Sequence, residues 1–141
     1  MAWIMRSHHI NVALGLVIQD GKVLIVRRAK KETAESGVIL EWGFPGGKVQ
    51  LDETAEAAAV REVCEETGYH THAVTYVSDR VHPDFPVRVA YILCELVAQE
   101  PDPVHDANTA EVRWIKSAEL ATYFTSPLDP NVQRVLFGAT D

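Results

Sequence analysis

The chain has 141 residues, 47% of them hydrophobic, and a formal net charge of −7. That is the material of one ordinary globular domain over residues 1–141, with no apolar run of membrane-spanning length. The acidic balance argues against a polymeric nucleic acid as partner, since a phosphate backbone calls for a basic surface, but it admits a small phosphorylated ligand carried by a divalent cation.

The opening MAWIMRSHHINVALGLVIQDGK has only Arg6 before its apolar run, which ends in a turn, so it reads as a strand and not as a signal peptide. Residues 10–18 and 22–28 are β-rich and joined by Asp20-Gly21, a hairpin signal. Residues 29–39 read as a polar loop leading to a strand over 40–44. Pro45-Gly46-Gly47 then breaks that strand and opens a glycine loop. A helix follows, with Thr54 as N-cap, Glu56 in its first turn and Gly68 as its stop. Strands are predicted over 72–78 and 87–97, connected through HPDFP, and a Pro-containing acidic loop over 99–109. A short strand over 110–115, a brief helix capped by Ser117 and a last helix opened by Asp129-Pro130 and ending near Gly138 complete the chain. There is no internal repeat, low-complexity tract or linker. Cys64 on the apolar helix stripe and Cys94 in an apolar strand read as buried free thiols of a reducing cytoplasm, with no disulfide or zinc site. The histidines show no metal-binding spacing. Strand 87–97 and the N-terminal residues are the candidates for a homodimer contact.

Residues 47–69, GKVQLDETAEAAAVREVCEETGY, hold the densest chemistry. Glu62, Glu65 and Glu66 are three and four residues apart and therefore share a helix face, with Val60, Val63, Cys64 and Thr67 predicted on the opposite, anchoring face. Two unneutralised carboxylates about 5.5 Å apart repel by roughly 0.7 kcal/mol in water and about 3 kcal/mol at an effective dielectric near 20, so partial burial favours a counter-charge. Arg61 supplies one, but a single guanidinium does not balance three acids. All-oxygen, carboxylate-rich sites suit hard cations such as Mg2+ or Mn2+.

Here the sequence resembles the Nudix hydrolase family, whose signature runs Gly, five residues, Glu, seven residues, Arg-Glu, an aliphatic residue, one residue, Glu-Glu, one residue, Gly and an aliphatic residue. Gly47, Glu53, Arg61-Glu62, Val63, Glu65-Glu66 and Gly68 fill every position but the last, where Tyr69 is aromatic. The resemblance covers residues 47–69 and the Trp42-Gly43-Phe44-Pro45 lead-in. It implies an α/β fold, an α/β/α sandwich with a mixed central sheet, and hydrolysis of a nucleoside diphosphate-linked compound at a pyrophosphate bond with Mg2+ or Mn2+. It further implies Glu62, Glu65 and Glu66 as metal ligands, with the Gly47 carbonyl as a further one and either Glu62 or Glu65 orienting the attacking water. Glu53 is expected at the loop–helix junction, bound to Arg61 or to a metal-bound water, and Arg61 fixes the carboxylates by charge-assisted hydrogen bonds.

For substrate contacts the expectations are Lys48 on a phosphate, Arg28 matching by order a substrate-binding arginine of MutT-type enzymes, and Glu111, ahead of Asp106, as a further acid from a later loop. Strand alternation predicts that only one of Arg27 and Arg28 enters the cleft. Trp42, Phe44 and Phe85 are read either as base-stacking rings or as core, His82 as solvent-facing or at the cleft mouth, and Asp129 as a helix cap or a reader of a purine edge. The lead-in looks like the MutT-type branch, which takes canonical or oxidised nucleoside triphosphates to the monophosphate and pyrophosphate. Hydrolysis of ADP-ribose or another nucleotide sugar is the alternative, Pro83 and Pro86 lying at imperfect spacing in the region where ADP-ribose enzymes of the family often carry a proline, and a non-catalytic nucleotide-binding regulatory domain is the reading from another class.

Overall fold

The computed structural model describes residues 9–138, so the N-terminal residues considered for a dimer contact lie largely outside the described residues. Strand β1 (Val12–Gln19) turns through Asp20 and Gly21, both at positive φ, into β2 (Lys22–Thr33). β2 runs five residues beyond the predicted strand, and the polar loop shrinks to a short turn closed by the Ala34 N–H donating to the Val38 carbonyl at 2.8 Å. The extension survives its charge because it forms an exposed hairpin arm. Glu32 pairs with Leu40 and Thr33 with Ile39 of β3 (Ile39–Gly43), while Lys31 and Glu41 approach to 3.8 Å in the water on either side.

The predicted glycine loop is itself a short strand, β4 (Gly46–Lys48), antiparallel to the first half of β1 through Ala13↔Gly47 and Leu14↔Gly46. After α1 (Ala55–Thr67) come β5 (Thr71–Val81), β6 (Arg88–Leu96) and β7 (Thr109–Lys116), then a 3-10 turn at Ser117–Glu119, α2 (Leu120–Tyr123) and α3 (Pro130–Phe137). Ser117 lies inside that turn and is not its cap; the Glu119 carboxylate closes it by accepting the Lys116 N–H at 2.9 Å.

The strands form one mixed sheet in the order β3-β2-β1-β6-β5, with β4 on β1 and β7 on β2. β1 and β6 are parallel and the other pairs antiparallel. Both edges of β6 are occupied, by β1 and β5, so edge-to-edge pairing with a second copy is closed to the strand considered for a dimer contact at residues 87–97.

Alternation along the strands splits the core into two layers. Ala13, Val17, Ala90, Ile92 and Cys94 pack against Ala58, Ala59 and Val63 of α1. Leu16, Val89 and Tyr91 face the other way, with Leu120 of α2 and Val132 of α3. The expected α/β/α sandwich is the observed architecture. Cys64 is half-exposed rather than buried, since α1 docks through its alanines, and both cysteines are free. Among the described residues no helix is long and apolar enough to cross a membrane.

Candidate active site

Helix α1 is held at both ends as its sequence predicts. The Thr54 hydroxyl accepts the Ala57 N–H at 3.0 Å, and Gly68 adopts φ 80° with its N–H on the Cys64 carbonyl. No other residue fits there, because a Cβ would stand 2.0 Å from the Asp102 carbonyl oxygen. The buried stripe is Ala58, Ala59, Val63 and Thr67, displaced from the predicted one towards the acids. At about 100° per residue, Glu66 lies roughly 20° from Ala59 around the helix axis, beside the stripe and not behind it. The carboxylates are therefore spread from core edge to solvent.

Glu66, at the core edge, is mostly buried and accepts the Gly46 N–H at 3.1 Å. Burial raises its pKa to about 8; Glu62 and Asp106 push the same way, against the Gly46 hydrogen bond and Arg28. Glu62 is also raised, chiefly by burial, and its carboxylate lies flat against Gly47, where a Cβ would stand 2.5 Å from Oε2. Glycine at 47 is thus a requirement of close approach. Glu65 is not brought into the cleft. Its side chain is 55% exposed and is held by Arg61 Nη1 at 3.2 Å.

Arg61 is the hub of this wall. Its Nε and Nη2 donate to the two oxygens of Glu53 at 2.7 and 2.9 Å, Nη1 reaches Glu62 and Glu65, and Nη2 also donates to the Lys48 carbonyl at 3.1 Å. Bidentate pairing of this kind fixes direction as well as charge. Glu53 further accepts the Gln50 N–H at 2.9 Å, and its hydrogen bond to Arg61 leads the effects that hold its pKa down to about 2. Both oxygens of Glu53 are thereby spent on positioning the loop and Arg61.

Glu62 and Glu66 open onto a cleft of about 530 Å3. Gly46, Gly47 and Lys48 of β4 flank the acids; Val12, Leu14, Val89 and Tyr91 of β1 and β6 form an apolar floor; Arg80, His82 and Phe85 line the β5–β6 side. Phe44, which also lines the cleft, is only 6% exposed and packs edge-on against Phe124, so it is floor and not a free stacking plate. Trp42 reaches the cleft too, with Tyr123 edge-on to it and the Arg113 guanidinium 4.9 Å from its ring centre.

Arg27 and Arg28 both border the cleft, Arg27 held by Glu111 beside Trp42 and Arg28 acting on the charge of Glu66. Pairing is irregular on both sides of β2 here: Arg27 faces Glu111 and Arg28 faces Thr109, with Ala110 the extra residue on β7, and the register with β3 shifts between Arg27 and Glu32. Glu111 is occupied by Arg27 and Arg113 and lies outside this cleft, whereas Asp106 acts electrostatically on both Glu62 and Glu66. The later-loop acid nearest the site is thus Asp106. Asp129 is buried and absent from the cleft lining; its carboxylate accepts the Asn131 and Val132 N–H groups and the Ser78 hydroxyl. His82 is half-buried in the cleft wall, not solvent-facing. Arg80, Tyr91 and Asn108 were not legible as cleft residues, because only the pairing of distant strands brings them there.

Among the described residues no three carboxylate, histidine or cysteine side chains gather closely enough to cage an ion. The donor set is two carboxylates, Glu62 and Glu66, beside the β4 backbone. That fits Mg2+, which keeps much of its water shell and binds through one or two carboxylates together with substrate phosphates. Two acids whose proton affinity is raised by shared burial are also what a bound cation would relieve.

The sequence profile of the NUDIX domain matches residues 8–135. A MutT-like protein of Streptomyces ambofaciens is 44% identical over 61 residues, 43% of this chain and 34% of that protein. The phosphatase NudJ of Escherichia coli K12 is 32% identical over 131 residues, covering 88% of this chain and 80% of the relative. Of the first three curated relatives it matches, the chain spans 34%, 41% and 26% of the length. An ADP-ribose pyrophosphatase from Streptococcus suis superposes with a TM-score of 0.58 over 89% of this chain and 86% of its own, at 23% identity.

Proposed function

The chain belongs to the Nudix family, and from that premise we propose that it hydrolyses a phosphoanhydride bond of a nucleoside diphosphate-linked compound, using Mg2+ or Mn2+ bound at Glu62 and Glu66. The observation that carries the proposal is that these two partly buried acids line one cleft together with Arg28 and Lys48. When bound there, the cation supplies charge neutralisation to the phosphoryl oxygens and to the leaving phosphate. Glu62, held by Arg61 through Oε2, keeps Oε1 to orient water. Lys48 and Arg28 hold phosphate oxygens, and the apolar floor of Leu14, Val89 and Tyr91 excludes bulk water. Gly47 keeps Glu62 against the backbone, and its carbonyl is the further ligand we assign. Glu65 and Glu53 act through Arg61 and not on the substrate.

We assign the substrate as a canonical or oxidised nucleoside triphosphate, cleaved to the monophosphate and pyrophosphate. The test is a panel of such triphosphates, ADP-ribose, nucleotide sugars and dinucleoside polyphosphates, with Mg2+ and product identification. Pyrophosphate release from a triphosphate supports the assignment. AMP with ribose phosphate from ADP-ribose would replace it, and binding without turnover of any member would make the domain a non-catalytic nucleotide sensor.

A further inference from the structure

Two of the cleft arginines are balanced by carboxylates, Arg27 by Glu111 and Arg28 by Glu32. Arg80 is not. Its Nε donates to the Tyr91 hydroxyl at 3.1 Å and its Nη2 to the Pro127 carbonyl at 2.7 Å, with the guanidinium carbon 5.8 Å from the Tyr91 ring centre. Both partners are neutral. Among the described residues Arg80 makes no ion pair, and its Nη1 makes no hydrogen bond. A half-buried guanidinium in an acidic chain is thus held in a fixed plane with its charge uncompensated, which favours an incoming anion.

His82 follows two residues later and lines the same cleft. Its Nδ1 accepts the Asp84 N–H at 2.9 Å, so the neutral ring carries its proton on Nε2, which has no partner among the described residues. The loop that presents it is tied down by Asp84, whose carboxylate accepts the Ser126 hydroxyl at 2.6 Å and the Ser36 hydroxyl at 3.4 Å. Burial leads the effects that lower the His82 pKa, and Arg80 and Arg28 add to it against Asp84. Arg28 in turn acts on Glu66. Glu66, Arg28, His82 and Arg80 thus line one cleft, and the last two leave two N–H donors without a partner among the described residues.

We propose that Arg80 and His82 form a second oxyanion subsite of the cleft, holding a phosphate or carboxylate group of the ligand apart from the phosphoryl group at Glu62 and Glu66. The ligand class is then one with two separated oxyanions, such as an extended triphosphate tail or a diphosphate whose other substituent is itself anionic. A neutral nucleoside end would leave the guanidinium charge unmatched. The proposal deepens the reading of the cleft as a phosphoanhydride site, but its test needs neither metal nor turnover.

Titration calorimetry of the full chain in EDTA, with tripolyphosphate as the anionic probe and adenosine and guanosine as neutral ones, decides it. Tripolyphosphate is expected to bind the unaltered chain, about 10- to 100-fold more weakly to Arg80→Gln, and with an intermediate loss to Arg80→Lys, which keeps the charge without the planar fork. Lys31→Gln, on the exposed hairpin outside the cleft, should bind as the unaltered chain does. Thermal melts identify any variant that fails to fold, and Arg80→Lys preserves the comparison if Arg80→Gln does. Unchanged affinity in both Arg80 variants, absence of tripolyphosphate binding, or Arg80-dependent binding of a nucleoside overturns the subsite. Arg80-dependent anion binding by a chain that hydrolyses nothing would instead sink the catalytic reading and leave the subsite standing.

Discussion

Replacing Glu66 by Gln should stabilise the metal-free protein above neutral pH while removing metal-dependent hydrolysis. Gln retains an acceptor for the Gly46 N–H and nearly the same volume, so the substitution removes little besides the charge. In the folded chain the Glu66 pKa is about 8 against an ordinary 4.5, so the folded state keeps a proton that the unfolded state has released. The unfolded state binds fewer protons across that interval, and the sign of the linkage makes stability fall as pH rises. Below pH 4.5 the effect is absent; it grows between 4.5 and 8 and levels off above. A separation of this size is worth an upper bound of about 5 kcal/mol, which the residual exposure of the side chain reduces to a few.

Thermal melts in EDTA from pH 5 to pH 9 would measure it, at roughly 3 °C for each kcal/mol in a chain of this length. Glu66→Gln should melt several degrees above the unaltered protein at pH 9 and coincide with it near pH 5. Added Mg2+ should raise the unaltered protein most at high pH and the variant little. A variant that melts lower at pH 9, or that keeps the full pH slope, would show that Glu66 is not the strained acid the geometry makes it.

Gly47→Ala places a methyl against the flexible end of Glu62, so the fold should hold within a few degrees of melting temperature while turnover drops about 100-fold from misplacement of the carboxylate. Arg61→Lys loses the paired bonds to Glu53 and the link to the Lys48 carbonyl; a destabilisation of about 2 kcal/mol in urea unfolding is expected, together with lower turnover. Glu53 has the opposite sign to Glu66. Its folded pKa of about 2 contributes stability that is fully present above 4.5 and is lost as pH falls through 2, so Glu53→Gln should flatten the acid limb of the stability curve, and an unchanged limb would contradict the pairing.

The contrast between α1 and the rest of the cleft explains what the sequence can disclose. Cap, glycine stop and carboxylate spacing are local, set by neighbours within a few residues, and Thr54, Gly68 and the Arg61–Glu65 contact stand where the spacing puts them. Which acid faces the cleft is already less local. It depends on α1 docking through Ala58 and Ala59 instead of Val60 and Cys64, a choice made by the opposing sheet, where a Cβ on Gly15 would stand 2.6 Å from Val63. The irregular pairing at Arg27 and Arg28 arises where β7, more than eighty residues away, carries an extra residue, which cannot be read from either strand.

Ligand-facing residues suffer most from this, for a physical reason. Arg80 and Tyr91 reach the cleft because β5 pairs with β6 and β6 runs parallel to β1, and nothing in their own neighbourhoods marks them as more than strand residues, while the loop around His82 leaves cleft mouth and solvent both open. The acids can be selected by short-range order because they must sit on one rigid helix at helical intervals. A group at the far end of the cleft needs only the right position in space, and any strand or loop that arrives there can supply it. The cation without a partner is therefore the more informative signal at that end: Arg80 is recognisable by what it lacks among its neighbours, a property of the assembled sheet and not of the sequence around it.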